Sequence, residues 1–136
     1  MPIEDFADFI AGRVEKGKLV EVGIGFQTRV ALRLIELGYD VLAIDWNEKA
    51  VENARRAGIK AEVDNVFKPR LGLYLGAKAI YSIRPTPETM EHILELGKRL
   101  NIPVFILPLS GDPGPLKAKL ENFRGLAIYV YNPAKN

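Results

Sequence analysis

Three carboxylates stand at the ends of short apolar runs in the first half of the chain: Glu21, Asp45 and Asp64. Gly23-Ile24-Gly25-Phe26-Gln27 follows the first of them. Gly23 and Gly25 remove side chains where a ligand would approach the backbone, and a helix starting just after them would offer unpaired N–H groups. Asp45 lies 22 residues after Gly23, and its two oxygens can accept hydrogen bonds from both hydroxyls of a ribose. Asp64 is then placed to meet the adenine end of the same ligand. A plainer account stays open: a tight strand-to-helix turn needs glycine for its own sake, and acids at strand ends often cap helices or face water.

Glu21 bears on which ligand fits. A dinucleotide packs its pyrophosphate against such a turn, where a carboxylate adds unwanted negative charge. Thr28 also stands where the third glycine of G-x-G-x-x-G would be. Adenosylmethionine has no phosphate and carries an ammonium and a sulfonium, so an acid there favours its amino end.

Further candidates follow later strands. Arg84, in Ile83-Arg84-Pro85-Thr86-Pro87, can bind a carboxylate or phosphate of a substrate beside a helix beginning near Thr86. Alternatively, Arg84 pairs with Glu88 and Thr86 merely caps. Ser110 and Asp112, in Ser110-Gly111-Asp112-Pro113-Gly114, offer a hydrogen-bond partner and a general base or substrate ligand. A solvated turn explains them as well. His92, the one histidine, sits a turn into a helix among polar residues and reads as a surface contact.

The elements that must position these residues alternate in type. A helix spans about 3–14, with Ile3, Phe6, Phe9 and Ile10 at core-facing intervals. Strands are predicted at Lys18–Val22, Val41–Asp45, Ile59–Val63, Ala79–Ile83, Val104–Leu109 and Leu126–Tyr131. Helices are predicted at Thr28–Leu37, from Asn47 to Ala57, after Thr86, and at Pro115–Asn122, with a short helical turn between Asn65 and Gly76. Such alternation with short joins predicts an α/β domain with an open, mostly parallel, doubly wound sheet. The ligand crevice then lies at the carboxyl ends of the first and fourth strands. Tyr129 and Tyr131 alternate with Ile128 and Val130 in the final strand, which offers either a homodimer edge or a surface for a helix to cover.

With 136 residues, 48% of them hydrophobic, the chain fits one domain with a substantial core. The absence of cysteine excludes disulfides, thiolate nucleophiles and zinc–thiolate sites, and one histidine cannot build a multi-histidine metal centre. Acidic residues near the start and the lack of a long apolar run predict a soluble, cytoplasmic protein. A formal charge of +2 and a pI near 8.9 permit an anionic partner without requiring one.

Val20-Glu21-Val22-Gly23-Ile24-Gly25-Phe26-Gln27 resembles the first motif of class I S-adenosylmethionine-dependent methyltransferases, acid-x-Gly-x-Gly-x-Gly, with Gln27 in place of the last glycine. The stretch from Ala43 to Ala54 resembles the second motif and its helix, and Val63-Asp64-Asn65-Val66 the third. The resemblance implies a Rossmann-like fold and an adenosylmethionine cofactor held by Glu21, Gly23, Gly25, Gln27, Asp45, Trp46 and Asp64. Asp45 would take the ribose hydroxyls, Trp46 would pack on adenine, and Asp64 would meet the adenine amino group. Arg84 occupies the fourth motif, where many relatives place Asp or Asn before two prolines. As a whole the chain resembles a small uncharacterised archaeal family of Rossmann-like, methyltransferase-related proteins. Two functions follow as expectations: a compact methyltransferase acting on a small molecule, or on part of an RNA or protein, or a noncatalytic module that binds an adenosyl ligand. The expected sheet has six strands, one fewer than the full methyltransferase sheet, with the last hairpin lost or displaced.

Overall fold

The computed structural model describes residues 2–109, 114–115 and 117–133. Four helices, α1 (Asp5–Ala11), α2 (Arg29–Glu36), α3 (Glu48–Arg56) and α4 (Pro87–Leu100), alternate with strands over most of its length. The strands are β1 (Lys18–Val22), β2 (Asp40–Asp45), β3 (Lys60–Val63), β4 (Ala77–Ile83), β5 (Val104–Leu107), β6 (Lys119–Phe123) and β7 (Leu126–Tyr131). They form one seven-stranded sheet in the order β3-β2-β1-β4-β5-β7-β6. The first five are mutually parallel, and β7 runs antiparallel to both β5 and β6.

The unbroken apolar strands have the composition of parallel strands covered on both sides. Leu19, Ala43, Ala79, Tyr81 and Phe105 turn to one face, where they meet α1, α2 and α3. Val20, Val22, Ile44, Ile80 and Ile106 turn to the other, where α4 lays Met90, Ile93 and Leu94 against them. On the first face Phe6 stands edge-on to Tyr81 and Phe9 to Phe105.

Local signals set several helix ends. Asn47 accepts a hydrogen bond from the Lys49 N–H at the start of α3, and Thr86 accepts one from Thr89 N–H at the start of α4. Pro87 fills the first position of α4, where its missing N–H would find no partner in any case. The turn expected between Asn65 and Gly76 is a single 3₁₀ turn, Leu71–Tyr74.

The C-terminal third departs from the sequence expectation. In the segment read as a helix over Pro115–Asn122, Lys119–Asn122 belong instead to the edge strand β6, so the described sheet has seven strands and keeps its terminal hairpin. Arg124 and Gly125 form the two-residue turn, with φ 51° and 84°, and Phe123 pairs with Leu126 across it. Positive φ at both central positions is the geometry that matches the twist of paired strands. The final strand β7 lies inside the sheet, between β5 and β6, and is therefore not an edge available to a second copy.

Candidate functional site

β1 and β4 are neighbours although two strands and two helices separate them in sequence, so the chain order reverses there. A crevice at such a switch point is where open α/β sheets bind ligands. A cavity of about 490 Å³ opens over it, lined by Gly23, Asp45, Trp46, Asp64, Arg84 and Thr86, among others. Six residues singled out in the sequence thus meet at one place.

Glycine is required at the turn. Gly23 and Gly25 hold φ of 73° and 55°, and a Cβ built at either would touch nothing within 4 Å. Backbone conformation demands glycine there, and open space beside it leaves room for a ligand. Asp45 ties the turn to the next helix. One carboxylate oxygen accepts from Gly25 N–H at 2.8 Å, the other from Asn47 N–H at 2.9 Å. Each oxygen keeps a further lone pair for a hydroxyl donor.

Trp46 projects into solvent at the rim with 78% of its surface exposed. Asp64 is buried, and Arg70 covers it: its Nε lies 3.3 Å from the carboxylate and its backbone N–H also donates to it. An adenine amino group would therefore share Asp64 with Arg70. Burial pushes the nearby Tyr74 hydroxyl far above its usual range, and the Asp64 charge adds to that shift.

Glu21, Gly25 and Gln27 do not line the cavity. Gln27 turns back, and its side-chain oxygen accepts from the Arg29 backbone and guanidinium N–H groups at the start of α2. Glu21 lies fully buried on the face shared with Tyr81 and Ala43, its neighbours in register. Neither carboxyl oxygen, nor the Tyr81 hydroxyl, has a partner in hydrogen-bond geometry. Burial pushes the Glu21 carboxyl up to about 8; the nearby Tyr81 hydroxyl pulls against this, and the Asp45 charge adds to it. Tyr81 is itself raised well above its usual range by burial first, then by Glu21.

Arg84 makes no ion pair with Glu88 or with any other described residue, so the plain surface pairing is not what the fold provides. Ser110 and Asp112 lie outside the described residues. His92 sits on the surface side of α4, with Nδ1 3.1 Å from the Glu88 carbonyl oxygen and its ring edge-on to Phe67.

Two cavity residues escaped the sequence reading. Ser82 is buried and donates to the Val22 carbonyl oxygen at 2.7 Å, joining β4 to β1 beneath the cavity floor. A polar residue inside an apolar strand was its available signal. Phe67 adds a second aromatic side chain to the cavity lining, and nothing local to its Gly- and Pro-divided segment marks it out. Among the described residues no group of three potential metal ligands occurs, and no helix is long and apolar enough to cross a membrane.

Strand order, reversed terminal hairpin and switch-point crevice together define a Rossmann-like α/β domain of the class I methyltransferase fold. An RNA methyltransferase from Salinibacter ruber, solved with S-adenosyl-L-homocysteine, matches it with a TM-score of 0.71 at 16% identity, over 96% of this chain and 89% of that one. A TehB-like SAM-dependent methyltransferase from Corynebacterium glutamicum matches with 0.66 at 17%, over 94% and 88%. At such identities the likeness is one of fold. The chain belongs to the uncharacterised protein family UPF0146, whose profile matches residues 3–133. A family member from Pyrococcus abyssi is 57% identical over 129 residues, covering 95% of this chain and 98% of its own. One from Methanocaldococcus jannaschii is 37% identical over 133 residues, covering 96% of each.

Proposed function

We propose that the chain binds S-adenosylmethionine in the switch-point cavity and transfers its methyl group to an acceptor in the cytoplasm. The observation that carries this reading is Asp45: its carboxylate is fixed by two backbone N–H groups beside an open glycine turn, with lone pairs left to accept from a ribose diol. The residues fit the ligand's other parts. Trp46 and Phe67 supply apolar surface for adenine, Asp64 borders that end, and Gly23 leaves room for the amino-acid end. Bound there by Asp45, Gly23 and the Asp64 end of the cavity, the cofactor would supply an electrophilic methyl carbon that an acceptor's lone pair could displace from sulfur.

A noncatalytic binding module is the second reading, and one observation favours it. Asp45 and Asp64, the carboxylates that line the described cavity, both lie at the ends of β2 and β3, and no other described carboxylate lines the cavity beside Arg84 and Thr86 to serve as a base.

Isothermal titration with adenosylmethionine, adenosylhomocysteine and NAD tests the site. Saturable binding of the first two is expected. Asp45→Ala should weaken it by roughly ten- to a hundredfold, the worth of one or two hydrogen bonds to a charged group. A folded protein that ignores both ligands at millimolar concentration would end the cofactor reading.

A further inference from the structure

We infer that the cavity takes a second ligand by an oxyanion, a phosphate or carboxylate, held at Arg84; resting on the cofactor reading, this makes the methyl acceptor an anionic molecule. Arg84 follows β4 directly and lines the cavity together with Ser82, Thr86 and Thr89, all on the α4 side of the glycine turn. The ribose carboxylate, Asp45, belongs to β2 on the other side. Adenosyl and acceptor ends therefore fall on opposite flanks of β1.

Most other arginines of this protein are ion-pair partners: Arg13 with Glu121, Arg33 with Asp8, Arg55 with Glu62, Arg70 with Asp64. Arg84 has no such carboxylate partner among the described residues. Neither does Arg99, near the end of α4, but it does not line the cavity. Asp64 is already neutralised by Arg70, and both oxygens of Asp45 are drawn to backbone N–H groups of the β1 and β2 turns. Arg84 is thus a guanidinium with no ion-pair partner among the described residues, set after β4 while the cavity's two carboxylates stand at the ends of β2 and β3 on the other side of β1. A guanidinium presents donors in a planar fork that matches a carboxylate or phosphate edge with two parallel hydrogen bonds.

Its backbone also holds it in place. Arg84 has φ 53°, and its N–H donates to the Leu107 carbonyl oxygen at 2.6 Å, which fastens the turn to β5. Pro85 is buried immediately after it. A glycine would adopt this conformation freely, whereas a residue with a Cβ costs about 1–2 kcal/mol. The side chain is therefore presented from a rigid, strained turn rather than a loose loop. No described group would be left buried and unpaired by removing its charge, so a variant keeps the fold.

The test uses the intact protein, labelled with nitrogen-15, with and without saturating adenosylhomocysteine. Inorganic phosphate and acetate are titrated separately while the backbone amides of Arg84, Thr86 and Thr89 are followed. Saturable shifts at these amides are expected with at least one anion, persisting beside adenosylhomocysteine. In Arg84→Gln the anion should bind at least about tenfold more weakly, with adenosylhomocysteine affinity unchanged. Which anion binds separates a phosphate-bearing acceptor from a carboxylate-bearing one. Absent shifts with both anions, equal shifts in the variant, or displacement of the anion by adenosylhomocysteine would each overturn the proposal. Failure of adenosylhomocysteine to bind would instead strike the cofactor reading, while titration of the free protein still decides whether Arg84 holds an anion.

Discussion

Glu21 concentrates the chemistry of single residues in this protein. Its carboxyl, with the Tyr81 hydroxyl nearby but no partner in full hydrogen-bond geometry, is raised by burial to about 8, against 4.5 for an ordinary glutamate. Below about pH 4.5 it is protonated whether the chain is folded or not. Between there and about pH 8 the unfolded chain is ionised while the folded one keeps its proton, so unfolding releases a proton and stability falls as pH rises. Above that range both states are ionised and the dependence flattens. Thermal melts from pH 5 to 8 should therefore show a falling midpoint, and Glu21→Gln should flatten it and melt higher at pH 8. Identical slopes in the two proteins would remove Glu21 as the source. The sequence marked Glu21 as a ligand residue because it precedes the glycine turn. Side chains alternate along a strand, however, so it is Val22 that borders the cavity while Glu21 faces α1 and α2. Asp45 and Gly23 were legible because a strand's last residue and its turn sit at the sheet edge whichever way the strand rotates.

At the scale of elements, α4 and β5 meet more closely than their sequences announce. A Cβ on Gly97 would lie 2.3 Å from Val104 Cγ2 and 3.2 Å from the Ile102 carbonyl oxygen. Alanine gains about 1 kcal/mol over glycine within a helix. Overpacking against a stiff β-branched neighbour costs roughly 1–3 kcal/mol. The clash should win, so Gly97→Ala is expected to lower denaturant stability by about 1 kcal/mol. Val104→Ala in the same chain should recover part of that loss; simple additivity would show that the contact is not the cause. The parallel elements were readable from apolar runs, glycine stops and Asn or Thr caps, because those signals are local. β6 was not. Lys119-Leu120-Glu121-Asn122 has no strand propensity of its own, and it is extended because it pairs residue for residue with β7. Its turn, Arg124-Gly125, also lacks the Asn or Asp that normally betrays a two-residue hairpin.

Across the whole molecule, ion pairs clasp the terminal hairpin to the first helix. Arg124 reaches Asp5 at 3.0 Å and Asp8 at 2.8 Å, Arg33 reaches Asp8 at 3.2 Å, and Arg13 pairs with Glu121. Burial alone would raise the Asp8 carboxyl, but the Arg124 and Arg33 guanidiniums outweigh it and hold it below the ordinary value of 3.8. A depressed carboxyl contributes stability above its unfolded pKa and loses it as pH falls through the folded one. Asp8 therefore weakens the protein in acid, while Glu21 weakens it toward alkaline pH. Stability should peak on the acid side of neutral, and Asp8→Asn should shrink the acid limb alone in a melt series taken across pH. A maximum at or above pH 8 would contradict the Glu21 assignment, and an acid limb unchanged in Asp8→Asn the Asp8 one. The strand order carries a further consequence for synthesis. β7 leaves the ribosome after β6, yet it is the strand that must slot between β6 and β5. Until it emerges, the unpaired N–H and C=O edge of the apolar strand Val104–Leu107 stays open on the nascent chain, a template for the wrong neighbour. A stop codon just before Leu126 should thus raise the aggregated fraction of the product relative to the full chain, as centrifugation of the two expressed side by side would show.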